Sequence, residues 1–539
     1  MKKIPALFLL IVVAFFSIVP LGYIFVRPFL GDASSAQGLL QLLTSTYLQT
    51  TVQNTLLMSS GVMLMTIMLG VPLAWFLTRT NLPYRKLLRT LFMMPYIIPP
   101  YIGAIAWIDL ANPNVGLLNR LIGESFFNIY SLLGMIWVLG LFFYTFVLLG
   151  VSTTLDNMDP SLEESARMCG APPWRVALDI SLPLVRPAIY SSGLLVFLAA
   201  AAAFGVPYLV GGSRNIPVLT GVIYEKVRTG GLNGIFEASQ IALPLLLLAL
   251  IALFVIERFT RKQGFAVVSG KSAIASKIDL GRWRWPIFWL HAMLLALIVI
   301  LPLSSIVISS FLEIPGRFDS FSLLHYREVF GGQHSILQAL LNSLLLAGGA
   351  ATVAIIIGGM VGYLRVKQNA WMVRAADLFL SIPYATPGIL IALGLILAFS
   401  RGIRLTDTLW IIFIAYFVKY ASFVVRTVAP NTQQIDPSLA EAAQMCGAGP
   451  LRRALTIWIP LLKPALIAGW FLVFMPSFSE LTMSILLVGI NTDTIGTIIF
   501  RLQDYVNPDA APVVALLVVL FVVLSNGLTK VLTKGRYGI

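Results

Sequence analysis

Apolar runs of about twenty residues recur along the whole chain, and no other feature restricts its fold as strongly. A helix of that length crosses a bilayer core of roughly 30 Å. Candidate spans fall near residues 6–26, 54–77, 88–110, 131–153, 189–210 and 238–257, and then near 286–311, 341–364, 376–399, 407–429, 466–489 and 512–533. Of the 539 residues 58% are hydrophobic and only 11% charged, against about 25% charged in soluble domains. A water-soluble fold is excluded, and the pattern predicts an all-α polytopic membrane protein with about twelve transmembrane helices.

Topology accounts for the formal charge of +14. With a cytoplasmic N-terminus, 26 of the 37 Lys and Arg fall in inner segments, 10 in outer ones, and Lys419 within a span. The positive-inside rule therefore predicts both termini in the cytoplasm. The basic residues sit in short segments rather than one continuous patch, so nucleic acid is not the expected partner; membrane lipid is. Lys2-Lys3 and the apolar run after them look like a signal peptide, but the run is long, lacks a small-x-small site before Arg27, and is followed by further spans. A retained first helix is expected. The two cysteines, Cys169 and Cys446, imply no disulfide framework or metal cluster.

Residues 260–285 form the one long, polar, basic stretch between apolar halves and read as a cytoplasmic linker. The first six-helix repeat is then 1–259 and the second 286–539. Gly270-Lys271-Ser272 in the linker lacks the glycine of a P-loop, since Phe occupies position 265. No nucleotide or other cofactor is expected on this chain.

The halves match each other. At an offset of 277, Asp159-Pro160-Ser161-Leu162 recurs as Asp436-Pro437-Ser438-Leu439, Glu164 as Glu441, Met168-Cys169-Gly170-Ala171 as Met445-Cys446-Gly447-Ala448, and Pro183 as Pro460. At an offset of 288, Asn54 matches Asn342, and Pro95, Tyr96 and Pro99 match Pro383, Tyr384 and Pro387. Both halves start inside and run the same way, so the repeat is parallel. The 277-offset segments, within loops 154–188 and 430–465, predict short surface helices. Asp159 caps the first, Pro160 suits its opening position, Glu163 and Glu164 complement its dipole, and Gly170 ends it in a left-handed conformation.

The segments Glu-Ser-Ala-Arg-Met-Cys-Gly-Ala from Glu164 and Glu-Ala-Ala-Gln-Met-Cys-Gly-Ala from Glu441 resemble the EAA loop of ABC importer permeases. Each lies between the fourth and fifth spans of its half. The resemblance covers nearly the whole chain and implies a type I permease fold in a bacterial cytoplasmic (inner) membrane. It further implies coupling through Asp159, Glu164, Gly170, Asp436, Glu441 and Gly447 to two copies of a separate ATPase subunit, which would hold the ATP and Mg. An external (periplasmic or extracellular) binding protein would deliver the substrate. The fused arrangement, with Phe204-Gly205-Val206-Pro207 and Glu480 to Leu487, resembles the ferric-iron type, while thiamine and 2-aminoethylphosphonate permeases share the layout.

Ionisable residues within spans are candidates for the substrate path. Lys419 and Glu480 stand mid-span in the tenth and eleventh spans, with Phe142 and Ala203 at the matching first-half positions. They read either as an ion pair between two helices or, for Glu480, as a hard oxygen ligand for a ferric ion. Prolines around Tyr96 and Tyr384 predict broken or bent third and ninth spans, which puts both tyrosines beside the path, at a packing kink away from it, or in an interfacial belt. An ion-gradient-driven secondary transporter also has two parallel six-helix halves, but it has no use for a repeated coupling loop inside each half.

Overall fold

The computed structural model describes residues 3–29, 41–42, 44–159, 161–212, 215–261, 277–331, 336–368, 370–400 and 404–533. Most of the linker (262–276), Pro160, Lys534 and Arg536 lie outside them. Backbone polar groups in hydrocarbon must be satisfied internally, which favours helices. Among the described residues only helices and two isolated bridges occur. Among the described residues ten helices are long and apolar enough to cross a membrane, and two bent pairs bring the count to twelve.

The bent pairs are the third and ninth spans, where the prolines predict them. Arg85–Tyr96 meets Pro100–Ala111 at 97°, and Trp371–Ala385 meets Gly388–Phe399 at 113°. Pro99 and Pro387 take extended ψ values of 132° and 133°, and the second helix starts directly after each. A break frees carbonyls that the following span must satisfy. Tyr144 in span four donates its hydroxyl to the Phe92 carbonyl. In the second half Lys419 does the corresponding work on the carbonyls of Pro383, Tyr384 and Thr386.

The eleventh span departs from expectation. Its helix, Ile459–Phe478, stops before Glu480, and a short helix, Ser484–Leu487, restarts the chain. Glu480 therefore sits in a break rather than mid-helix. Hydropathy averages composition over a window and is blind to an interruption whose flanks are both apolar.

Contacts divide the chain into one unit of Met1–Leu43, Val222–Leu243 and Tyr326–Ile539, and another of Thr44–Gly221 and Pro244–His325. In the first, span one packs on the ninth span, with Gly394 against the Pro20 backbone. In the second, span seven packs on Pro100–Ala111, and Ser305 donates to the Ala106 carbonyl at 3.0 Å. The opening helix of each sequence half thus lies among helices of the other half's sequence.

Lipid tails are as apolar as leucine, so close van der Waals fit does most of the work of joining spans. Span two, Thr46–Arg79, lies along span four, Leu132–Asn157, with Gly70 so near Val147 that a Cβ would fall 2.8 Å from the valine Cβ. In the other unit Gly358 of span eight brings a Cβ position within 2.9 Å of the Ala421 carbonyl.

Paired asparagines tie the starts of the second and eighth spans. Asn54 donates to the Pro217 carbonyl, and Asn342 to those of Asn491 and Asp493. The neighbouring hydroxyls of Thr55 and Ser343 accept from the Leu219 and Ile495 amides. The Asn54/Asn342 match is therefore a clamp built twice.

Candidate functional site

Two short helices, Ser161–Met168 and Pro437–Met445, stand between spans four and five of each half. The Asp159 carboxylate accepts from the Ser161 amide at 2.9 Å, and Asp436 from the Ser438 amide at 2.9 Å. Those backbone bonds hold both carboxyls below their ordinary range. The helix ends are equally matched. Gly170 and Gly447 take φ of 82° and 77°. Their amides bond to the Arg167 and Gln444 carbonyls, while Ala171 and Ala448 reach back to Ala166 and Ala443. This is the Schellman pattern in both copies, and a side chain at either glycine would strain it.

The apolar side chains exposed on these helices, and on the segment following each helix, also repeat. Leu162, Met168, Trp174 and Leu178 are exposed, as are Leu439, Met445, Leu451 and Leu455 at the same positions one repeat later, with Met168 at 90% and Met445 at 88%. Apolar side chains left bare on twin polar-loop helices mark a contact surface. Glu441 is exposed, and half-buried Glu164 stands 3.9 Å from Arg167. The paired methionines are part of this surface that sequence reasoning did not single out; their recurrence at the 277 offset was the available signal. Cys169 and Cys446 are free thiols, both exposed.

The intramembrane residues fall elsewhere. Lys419 and Glu480 do not form the direct ion pair that is one of the two readings the sequence leaves open; each instead has its own hydrogen-bond partners. Lys419 is engaged by the three carbonyls at the ninth-span break, the nearest at 2.5 Å from its Nζ. The Glu480 carboxylate, 7% exposed, accepts from the Met483 and Ser484 amides and, at 2.8 Å, from the Ser484 hydroxyl. Each charge complements a helix end: the cation meets a C-terminus and the anion an N-terminus. Ser484 and its partner Tyr416, 2.6 Å away, extend this network and were missed by sequence reasoning.

Tyr96 packs edge-on against Phe146, and Tyr384 against Phe423, the matching pair one repeat on. Arg426 lies 5.0 Å from the centre of the Tyr384 ring. Among the described residues no group of three or more His, Cys, Asp or Glu is placed to hold a metal ion.

The family described as binding-protein-dependent transport system inner membrane component matches this sequence twice, over residues 66–262 and 354–536. The chain belongs to that family. It is an all-α polytopic permease carrying two copies of the family's unit, one in each half. FbpB 1 of Haemophilus influenzae, named for ferric transport, is 25% identical over 90% of this permease and 77% of its own length. A second protein of that organism, the Fe(3+)-transport system permease FbpB 2, is 24% identical over 87% of each chain. PhnV of Salmonella paratyphi A, a permease named for 2-aminoethylphosphonate transport, is 28% identical over 43% of this chain and 88% of its own.

Proposed function

We propose that this permease forms the translocation pathway of an ABC importer for ferric iron, driven through its two coupling helices by two copies of a separate ATPase subunit. The observation that carries the importer reading is the duplicated surface: two helices with the same cap, the same left-handed stop and the same exposed apolar side chains. ATP closure on the partner subunits moves both helices, and the pathway alternates between outward and inward access. The chain performs no hydrolysis itself, and ATP and Mg belong to the partners. An external binding protein supplies the substrate, and both termini lie in the cytoplasm. The coupling residues are Asp159, Glu164 and Gly170 with Asp436, Glu441 and Gly447.

Iron as substrate is supported by the relatives named for ferric transport, which align along both halves. The 2-aminoethylphosphonate reading is the alternative, favoured by a relative that aligns with a single half. Glu480, with three donors on its carboxylate, is engaged structurally, so the ferric ion passes without a fixed carboxylate at that position. Glu164→Ala combined with Glu441→Ala is expected to lower ATP-dependent uptake while the protein still inserts in the membrane. Uptake at the wild-type rate in that double variant would contradict coupling through these helices.

A further inference from the structure

The two coupling helices are capped alike but tethered differently. At the end of span two, Arg79 Nε lies 3.0 Å from Glu163 Oε2 and 3.2 Å from Oε1, and the Ser181 hydroxyl donates to Oε1 at 2.5 Å. Both ionic side chains are 4% exposed. Glu163 belongs to the first coupling helix and Ser181 to the stretch leading into span five, so one buried carboxylate joins three elements. The same end of span two is gripped from behind. Ile278 donates to the Arg79 carbonyl at 2.9 Å, Lys277 to the Thr78 carbonyl, and Asn81 to Asp279 at 2.6 Å.

The second half keeps a cation at the position matching Arg79 but has neither the carboxylate that grips it nor the hydroxyl bonded to that carboxylate. Arg79 corresponds to Lys367 at the 288 offset, and Glu163 and Ser181 to Ala440 and Trp458 at the 277 offset. Lys367 instead holds its ammonium 4.5 Å from the centre of the Trp458 ring. That contact ties the end of span eight to the helix after the coupling helix, and Ala440 offers nothing polar to grip.

We propose that Arg79 is a positioning residue that acts through Glu163 to fix the first coupling helix rigidly to span two, while the second coupling helix lacks such a tether and is the more mobile of the two. The proposal rests on the coupling role given above. An ATPase stroke reaching the first helix is passed directly to span two, whereas the same stroke on the second is passed through packing, the exposed Arg453–Gln444 bond to the next helix and the Lys367–Trp458 contact.

The two natural cysteines, exposed at equivalent coupling-helix ends, allow a direct test on the full chain in lipid nanodiscs. A nitroxide is placed on Cys169 in a Cys446→Ser background and on Cys446 in a Cys169→Ser background, and its mobility is read by electron paramagnetic resonance. The wild-type label at Cys169 is expected to be the slower. Glu163→Gln, and the paired Arg79→Met with Glu163→Met that leaves no lone buried charge, are expected to shorten its correlation time about twofold and leave Cys446 unchanged. Glu163→Asp is expected to restore much of the order. Equal mobility at both sites in the wild type, or no change at Cys169 in either variant, would overturn the tether.

Uptake per ATP hydrolysed in proteoliposomes separates this proposal from the importer reading. Glu163→Gln is expected to lower the ratio about tenfold and Lys367→Met less than about twofold, and equal losses in the two variants would count against the asymmetry. A wild-type protein without ATP-driven uptake would defeat the importer reading alone, because the label comparison still decides the tether.

Discussion

At the scale of single residues, buried charge in this permease is used to hold backbone and helices in place. Glu163→Ala strands the Arg79 guanidinium in a site 4% exposed, and breaking a buried pair in this way costs about 3–5 kcal/mol. Thermal unfolding in mild detergent is expected to register that loss, and to register almost none for exposed Glu441→Ala. Lys419→Met takes this donor from the Tyr384 and Thr386 carbonyls, while the Pro383 carbonyl keeps the Thr386 amide, an expected loss of about 1–3 kcal/mol by the same measurement. Glu480→Gln keeps an acceptor for Met483 and Ser484. Iron uptake is expected to survive that change within about twofold and to fall further in Glu480→Ala. A complete loss in Glu480→Gln would instead favour a ligand role. Lys419 and Glu480 were legible as special because charge inside an apolar span is rare. Their partners were not, since most are backbone groups: prolines mark the ninth-span break but not which side chain meets its carbonyls, and nothing in composition marks the break at Glu480.

At the scale of elements, the two short helices Ser161–Met168 and Pro437–Met445 stand or fall with their ends. Gly170→Ala and Gly447→Ala each force a side chain into positive φ, a strain of order 1 kcal/mol. Faster amide exchange of Ala171 or Ala448 is the expected sign. The Asp159 and Asp436 carboxyls titrate below the ordinary 3.8 because each accepts a backbone amide. A carboxyl whose pKa is depressed on folding contributes order above its unfolded pKa, and that order is lost as pH falls through the folded one. Nitroxides at Cys169 and Cys446 are therefore expected to loosen only below about pH 3.8, in both halves alike. These helices were readable from the sequence because cap, acidic turn and terminal glycine stand at fixed spacings, and the proline-marked breaks were readable for a similar reason. The stop at Phe478 was not, because Ser479 and Glu480 are flanked by apolar residues on both sides.

At the scale of the molecule, the repeat gave the order of the spans but not their neighbours. Span one and the ninth span are distant in sequence, yet Gly394 abuts the Pro20 backbone, where an added Cβ would meet the carbonyl oxygen at 2.5 Å. Gly394→Val is expected to destabilise the protein by about 1–3 kcal/mol through this overlap, as seen in detergent unfolding. No hydropathy or spacing signal marks that contact, since both partners are simply apolar.

As proposed above, the permease imports ferric iron by coupling its pathway to separate ATPase subunits. The measurement that tests it most directly is uptake of labelled ferric iron into proteoliposomes holding this chain and its ATPase, with the binding protein added outside and ATP sealed within. Thiamine and 2-aminoethylphosphonate run in parallel. Iron accumulation that requires both ATP and the binding protein is the expected result. Accumulation of another candidate would remove iron as the substrate, and uptake that follows an ion gradient without ATP would contradict the importer mechanism itself.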